Sequence, residues 1–383
     1  MYLSALPLPR LLRLHSASPF TAEPTQIGAS IMLKLLILTV LGTLIPGQAQ
    51  QPPQPLDLKA AKYGNFYYYT MGITIGTPPQ SFDVQPSTAG LNTWVVGMNC
   101  TEDPCFGIGN AKTRFNSVKS ETFKVSSKSD LILYYDPALW CNVTYGRDTF
   151  AIAGLSVENQ NFGVAYQISD GFGRLPYDGE LNLAFPKLHD LLRKLGLPKS
   201  LFTVQLASIA DLDSSPQTAG FITFGDYDQA HCQGALDQVD YVKLITSDYW
   251  KVRLHSVGYD TVNWPNSQHE AIIDISDPWI HAPQEIVDRI RNIAQPVEGK
   301  IPCSARTSLK DLHFHFKNTA GTDVDTIVTA NEYAVKIDND WCLLAIKPIA
   351  DGEQSWTLGG PFVRSYCQVY DFGNNQIGFS KPQ

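Results

Sequence analysis

Residues 71–90 read MGITIGTPPQSFDVQPSTAG. Met71, Ile73 and Ile75 alternate with Gly72 and Thr74, the two-residue period of a half-buried strand. Gly76-Thr77-Pro78-Pro79 then forces a turn, since proline fixes its own φ and has no N–H to give to a ladder; Phe82 and Val84 resume the alternation. The stretch predicts a strand, a tight turn and a second strand running into a loop at 87–90. Short apolar runs punctuated by Gly, Pro, Asn and Asp continue onward, ending with 368–371 and 377–379 around an Asn374-Asn375 turn. Helical spacing appears at Leu188, Leu191, Leu192 and Leu195, stopped by Gly196 and Pro198, and at Ile286, Val287, Ile290 and Ile293, opened by Pro283. A mostly-β protein with few short helices is expected.

The chain has 383 residues, with 29 Lys+Arg against 37 Asp+Glu and 44 % hydrophobic residues. That is enough for two domains or one large bilobal one. The acidic balance, without basic blocks, argues against nucleic acid or a polybasic membrane contact. With only 17 % charged residues and 11 % aromatic, the composition is not that of a disordered chain. Residues 1–49 read as a leader. Within it 32–49, MLKLLILTVLGTLIPGQA, has a basic Lys34, an apolar run from Leu35 to Ile45 and a small-x-small pattern at Gly47-Gln48-Ala49, as in a secretory signal peptide. The 31 residues before Met32 place Arg10 and Arg13 far from that run, which fits an upstream start codon or an uncleaved signal anchor. All seven cysteines lie beyond residue 99, as suits an oxidising compartment. Cys100 and Cys105 can close a small loop. Cys232, Cys303, Cys342 and Cys367 are candidates for long-range pairs, with Cys141 the candidate left over. Asn99-Cys100-Thr101 and Asn142-Val143-Thr144 are glycosylation sequons, meaningful in a secreted chain.

A weak internal duplication is visible. Phe82 through Gly90 answers Ala271 through Asp277, and 177–183 answers 355–360. In each half a strand runs into a tight loop, followed later by an apolar segment, so we expect an N-terminal β lobe at 63–228 and a C-terminal β lobe at 229–383 around one cleft.

On these residues the chain resembles the pepsin-like aspartic proteases. Residues 73–84 look like the strand–turn–strand before that family's first catalytic loop, and Trp94-Val95-Val96 like the segment after it. Cys100 and Cys105 match a small disulfide loop of the family, and Cys303 and Cys342 fit its C-terminal-lobe disulfide. Residues 177–186, 223–225, 249–250, 271–283 and 358–362 follow in family order. The resemblance runs from Tyr63 to the C-terminal residues and implies a bilobal acid-protease fold. It leaves Cys232 and Cys367 as a third pair.

Peptide hydrolysis in this family uses two carboxylates about 3 Å apart sharing one proton, one activating water and the other protonating the carbonyl oxygen. Register from Phe82 and Trp94 puts Ser87 where the first aspartate belongs. Thr88 keeps the hydroxyl that locks the loops and borders the cleft, while Ala89 and Gly90 replace the glycine and the hydroxyl residue after it. In the second loop Asp274 survives, but Ile275, Ser276 and Asp277-Pro278 replace the usual partners. A hydroxyl cannot share a proton with Asp274, and losing one acid/base role costs about 10²–10⁴-fold. A serine nucleophile at Ser87 would need an oriented base, and His281 is the neighbouring imidazole to consider. Glu180 stands where an apolar cleft residue is usual, so it is a solvent-facing side chain, a replacement carboxylate facing Asp274, or a polar group that reshapes the pocket. Tyr135, with Tyr134 as rival, matches the flap tyrosine, and Pro137 with Leu139-Trp140 would stiffen that hairpin or fill the cleft. Only residues 50–62 separate the leader from the first strand of this reading, too few for a long basic propeptide. The resemblance implies a peptidase homologue, expected to be inactive, whose cleft takes a peptide or inhibitor. The rivals are an acid endopeptidase using Asp274 with an atypical partner, and a secreted scaffold or ligand-binding glycoprotein. Neither a clustered metal-ligand spacing nor a nucleotide loop is present, so no cofactor is expected. We expect a secreted or endolysosomal monomer, off the membrane unless the leader is an uncleaved anchor.

Overall fold

The computed structural model describes residues 54–383 apart from 91, 127–130, 137, 185–187, 215–218, 247–248, 266–269 and 351–354. The leader, its signal-peptide segment and Pro137 therefore lie outside the described residues. The alternation in the quoted stretch becomes strands Phe66–Ile75 and Gln80–Ser87, antiparallel with Met71 opposite Val84 and Ile73 opposite Phe82. All five apolar side chains of that pattern are buried. Gly76 makes the turn at φ +99°, and a Cβ there would stand 3.0 Å from Ser120 Oγ.

This hairpin belongs to a continuous fourteen-stranded sheet. On one side it passes through Gly179–Asn182 and Trp94–Val96 to the long antiparallel pair Leu139–Ile152 and Leu155–Ile168. On the other it passes through Leu56–Tyr63, Gly220–Phe224 and Leu201–Leu206 to Cys367–Asp371 and Gln376–Ser380. Sheets of five, four and three strands are built from residues beyond 250. The architecture is mostly β and bilobal, with six short helices among the described residues. Helix Leu188–Lys194 stops before Gly196, at φ +64°. Helix Gln284–Ala294 follows Pro283 and buries Ile286, Val287 and Ile290. Among the described residues no helix is long and apolar enough to cross a membrane.

Among the described residues regular structure begins at Leu56, ahead of Tyr63. Leu56–Tyr63 pairs on one edge with Gly220–Phe224 and on the other with Phe66–Ile75. Its own pattern is faint, because Leu58 is its one fully buried apolar residue and Asp57, Lys59 and Lys62 interrupt it. Lys59 through Tyr63 are held in a hairpin with the next strand, and Leu56 through Leu58 by a partner far along the chain. Disulfides join Cys100 to Cys105, Cys232 to Cys367 and Cys303 to Cys342; Cys141 is a buried thiol whose pKa burial, and then the charge of Glu180, pushes up.

Candidate active site

The two loops expected to face each other do so. Strand Gln80–Ser87 delivers Ser87 and Thr88 into the interior, 2 % and 0 % exposed. Strand Glu270–Ile273 delivers Asp274, 8 % exposed, whose backbone N–H donates to Leu358 O at 3.2 Å. Thr88 Oγ1 donates to Ile273 O at 2.8 Å and accepts from Ile275 N–H at 3.1 Å, so one hydroxyl ties down two backbone groups of the opposite loop. Ile275 is buried and apolar, so its side chain returns no such bond.

Asp274 Oδ1 accepts from both the N–H and the hydroxyl of Ser276, at 2.9 and 2.7 Å. Ser276 Oγ is also 2.9 Å from Ser87 Oγ. A serine hydroxyl has a single proton, and that of Ser276 goes to Asp274, so Ser87 donates to Ser276. Gln85 Nε2 holds the Ser276 carbonyl at 3.1 Å. A short relay results, from Ser87 through Ser276 to one carboxylate. It orients hydrogen-bond donors and acceptors toward a ligand, and it contains one acid.

Burial pushes the Asp274 carboxyl up to about 6, helped by the negative charge of Asp277 and opposed by the Ser276 bonds and by His281. Asp277 accepts from Trp279 N–H at 2.8 Å; His281 Nε2 lies 2.8 Å from its other oxygen, outside hydrogen-bond alignment. That separation makes an ion pair when the imidazole is protonated. His281 thus faces Asp277, while the Ser87 hydroxyl faces Ser276, and no nucleophile–base pair forms at Ser87. Tyr68 lines the same side; burial and then Asp277 raise its pKa to about 12.

Glu180 is not the solvent-facing residue of the simpler reading: it is 4 % exposed. Parallel pairing of Gln80–Ser87 with Gly179–Asn182 sets it opposite Gln85, and a Cβ at Gly90 would stand 2.1 Å from Glu180 Oε1 and 2.9 Å from Ser87 Oγ. The missing side chain at 90 is therefore the room that Glu180 occupies. The charges acting most strongly on Asp274 are Asp277 and His281, whereas Glu180 acts on Cys141 and Tyr177. In the sequence residues 90 and 180 are two separate departures. The strand pairing makes them one feature.

Tyr135 lies in strand Leu131–Asp136, at a register shift where it pairs with Leu139–Ile152; its side chain is outside the described residues. The adjoining Ala138–Trp140 stretch is clipped to residues 169–171. Ser169 Oγ accepts from Trp140 N–H at 3.2 Å, Ser169 N–H donates to Trp140 O at 3.0 Å, and a Cβ at Gly171 would stand 2.2 Å from Ala138 O. A groove of about 720 Å³ bordered by Lys59, Phe82, Asp83 and Asp178 lies elsewhere, with neither Ser87 nor Asp274 in its lining. Among the described residues no group of three or more His, Cys, Asp or Glu is arranged to hold a metal ion.

Two strand-fed loops, cross-tied by a threonine hydroxyl at the centre of a bilobal β protein, define the aspartic-protease class of architecture. The family model described as "Eukaryotic aspartyl protease" matches residues 68–382, and the chain belongs to this family. It is similar to aspartic protease 1 of Caenorhabditis elegans, 31 % identical over 382 residues and 93 % of each chain. Pepsin A of Suncus murinus is 29 % identical, covering 82 % of this chain and 80 % of its own. Human gastricsin is 25 % identical over 80 % of both.

Proposed function

We propose that this protein is a secreted, non-catalytic homologue of the aspartyl proteases, a single bilobal unit with lobes at 63–228 and 229–383 whose cleft binds a peptide or protein segment. One observation carries the reading: the Ser87 hydroxyl bonds to Ser276 in the place where a second carboxylate would share a proton with Asp274. A neutral hydroxyl neither takes a proton from water nor lets Asp274 hold half of a shared one. The secretory address is supported by the signal-like 32–49 segment and by three disulfides.

The rival is an acid endopeptidase acting through Asp274. Its support is the carboxyl raised to about 6 with Asp277 beside it, a setting in which a buried acid stays protonated at mildly acidic pH. Incubation with an unfolded protein between pH 3 and 6, with and without a transition-state inhibitor of aspartic proteases, separates the two. No cleavage, with the inhibitor bound, is the expected result. Cleavage that the inhibitor blocks and Asp274→Asn abolishes would overturn the proposal, and absence of both cleavage and binding would favour a scaffold role.

A further inference from the structure

The two sequons sit in opposite environments. Asn99 is exposed in a β-turn closed by Cys100 N–H donating to Gly97 O at 3.0 Å, directly after strand Trp94–Val96. Thr101, the third sequon residue, is exposed as well. The neighbourhood carries apolar surface: Met98 is 46 % and Phe106 49 % exposed, with the Arg114 guanidinium 4.1 Å over the Phe106 ring. Arg114 also donates to Cys100 O at 3.0 Å, which fixes this surface against the turn.

Asn142 lies inside strand Leu139–Ile152, with Ile132 paired on one side and Gln167 on the other. Its Nδ2, the atom a sugar would take, donates to Gln167 Oε1 at 2.8 Å, and its Oδ1 is buried. Gln167 in turn donates to both Glu102 oxygens, at 3.0 and 3.2 Å. The middle sequon residue, Val143, is fully buried beside Cys100 and Cys105. A sugar on Asn142 would break into this side-chain chain across a strand flanked on both edges.

We propose that Asn99 is the N-glycosylation site of this protein and that Asn142 stays unmodified. The reaction joins Asn99 Nδ2 to the anomeric carbon of a lipid-diphosphate-linked oligosaccharide. The N–C bond forms as the C–O bond to the diphosphate breaks, the lipid diphosphate leaves, and the amide gives up one proton to the transferase's base. The attached sugar then covers Met98 and Phe106, an apolar patch that is otherwise open to water.

The inference rests on the secretory route proposed above, and the experiment separates the two. The full chain is expressed in a eukaryotic secretory host, once with its own first 49 residues and once behind a heterologous leader, then treated with peptide N-glycosidase. One glycan's worth of mobility shift is expected, lost in Asn99→Gln and in Thr101→Ala, kept in Thr101→Ser and unchanged in Asn142→Gln. The Thr101 pair leaves Asn99 intact, which covers the case in which Asn99→Gln fails to fold. A shift behind the heterologous leader alone would sink secretion through 32–49 and support the Asn99 assignment. No shift with either leader, two shifts, or a shift lost in Asn142→Gln would overturn it.

Discussion

The loop at 87–90 and the loop at 274–277 differ in complementary ways. The first carries a hydroxyl at Ser87 and a lock at Thr88, which holds Ile273 O and Ile275 N–H. The second carries the acid, Asp274, and offers no lock in return, since Ile275 is buried and apolar. Each loop therefore retains what the other lacks. The difference teaches that the cross-tie and the proton-sharing pair are separable, because the tie answers to packing and the pair answers to chemistry. On the function proposed above, the absence of the pair removes a reaction. Loss of the tie would leave two buried backbone groups without partners, at about 1–3 kcal/mol each.

The strongest way to break this comparison is to give the first loop an acid. Ser87→Asp places a carboxylate between Ser276 and Glu180, whose Oε1 and the Ser87 oxygen both lie within 3 Å of one point beside Gly90. Expected outcomes are no recovered peptidase activity and a loss of about 3–5 kcal/mol in urea unfolding at neutral pH, the cost of an uncompensated buried charge. Adding Glu180→Leu should recover part of that loss. Robust turnover by the single variant would show that the second loop is still competent.

Next comes the tie itself. Thr88→Val keeps the shape and removes both hydrogen bonds, and about 2–4 kcal/mol should disappear from the unfolding free energy. A change under about 1 kcal/mol would mean that the loops are held by their strands alone.

The smallest effect concerns the surviving acid. Its carboxyl is raised from 3.8 to about 6 in the folded chain, so the folded state binds the proton more tightly than the unfolded state. The resulting stabilisation is fully present below about pH 4 and fades as pH rises through about 6, at most about 3 kcal/mol in all. Asp274→Asn should flatten this part of the pH–stability profile measured by thermal unfolding between pH 4 and 7. An unchanged slope would place the carboxyl in a more polar setting than its burial implies.

Much of the scaffold was legible because it is written locally. The alternation across Gly76–Pro79, the leucine spacing before Gly196 and the proline before Ile286 each name an element without reference to the rest of the molecule. That residues 87 and 274 stand on loops that meet was legible too, from the internal duplication and from register at Phe82 and Trp94. What stayed hidden is non-local. Gly90 and Glu180 lie ninety positions apart, and only the parallel pairing that sets Glu180 opposite Gln85 shows that one makes room for the other. Ser276 looked like a simple loss of glycine, yet it bridges Ser87 and Asp274. His281 was considered as a base for Ser87, and only its distance to Asp277 assigns it elsewhere. Strand Leu56–Tyr63 is faint in the sequence because its mixed lysines and alanines hardly alternate, and its first three residues take their partners from 220–222.

Strand Cys367–Asp371 lies between Leu201–Leu206 and Gln376–Ser380 in the large sheet, and Cys367 is bonded to Cys232. During translation the strand at 201–206 emerges long before this neighbour exists, so one of its edges waits open until residues 367–371 have left the ribosome. An open edge is an invitation to pair with the wrong chain. The sheet is thus closed around this strand by a partner made about 160 residues later, and the oxidation that joins residues 232 and 367 marks that step.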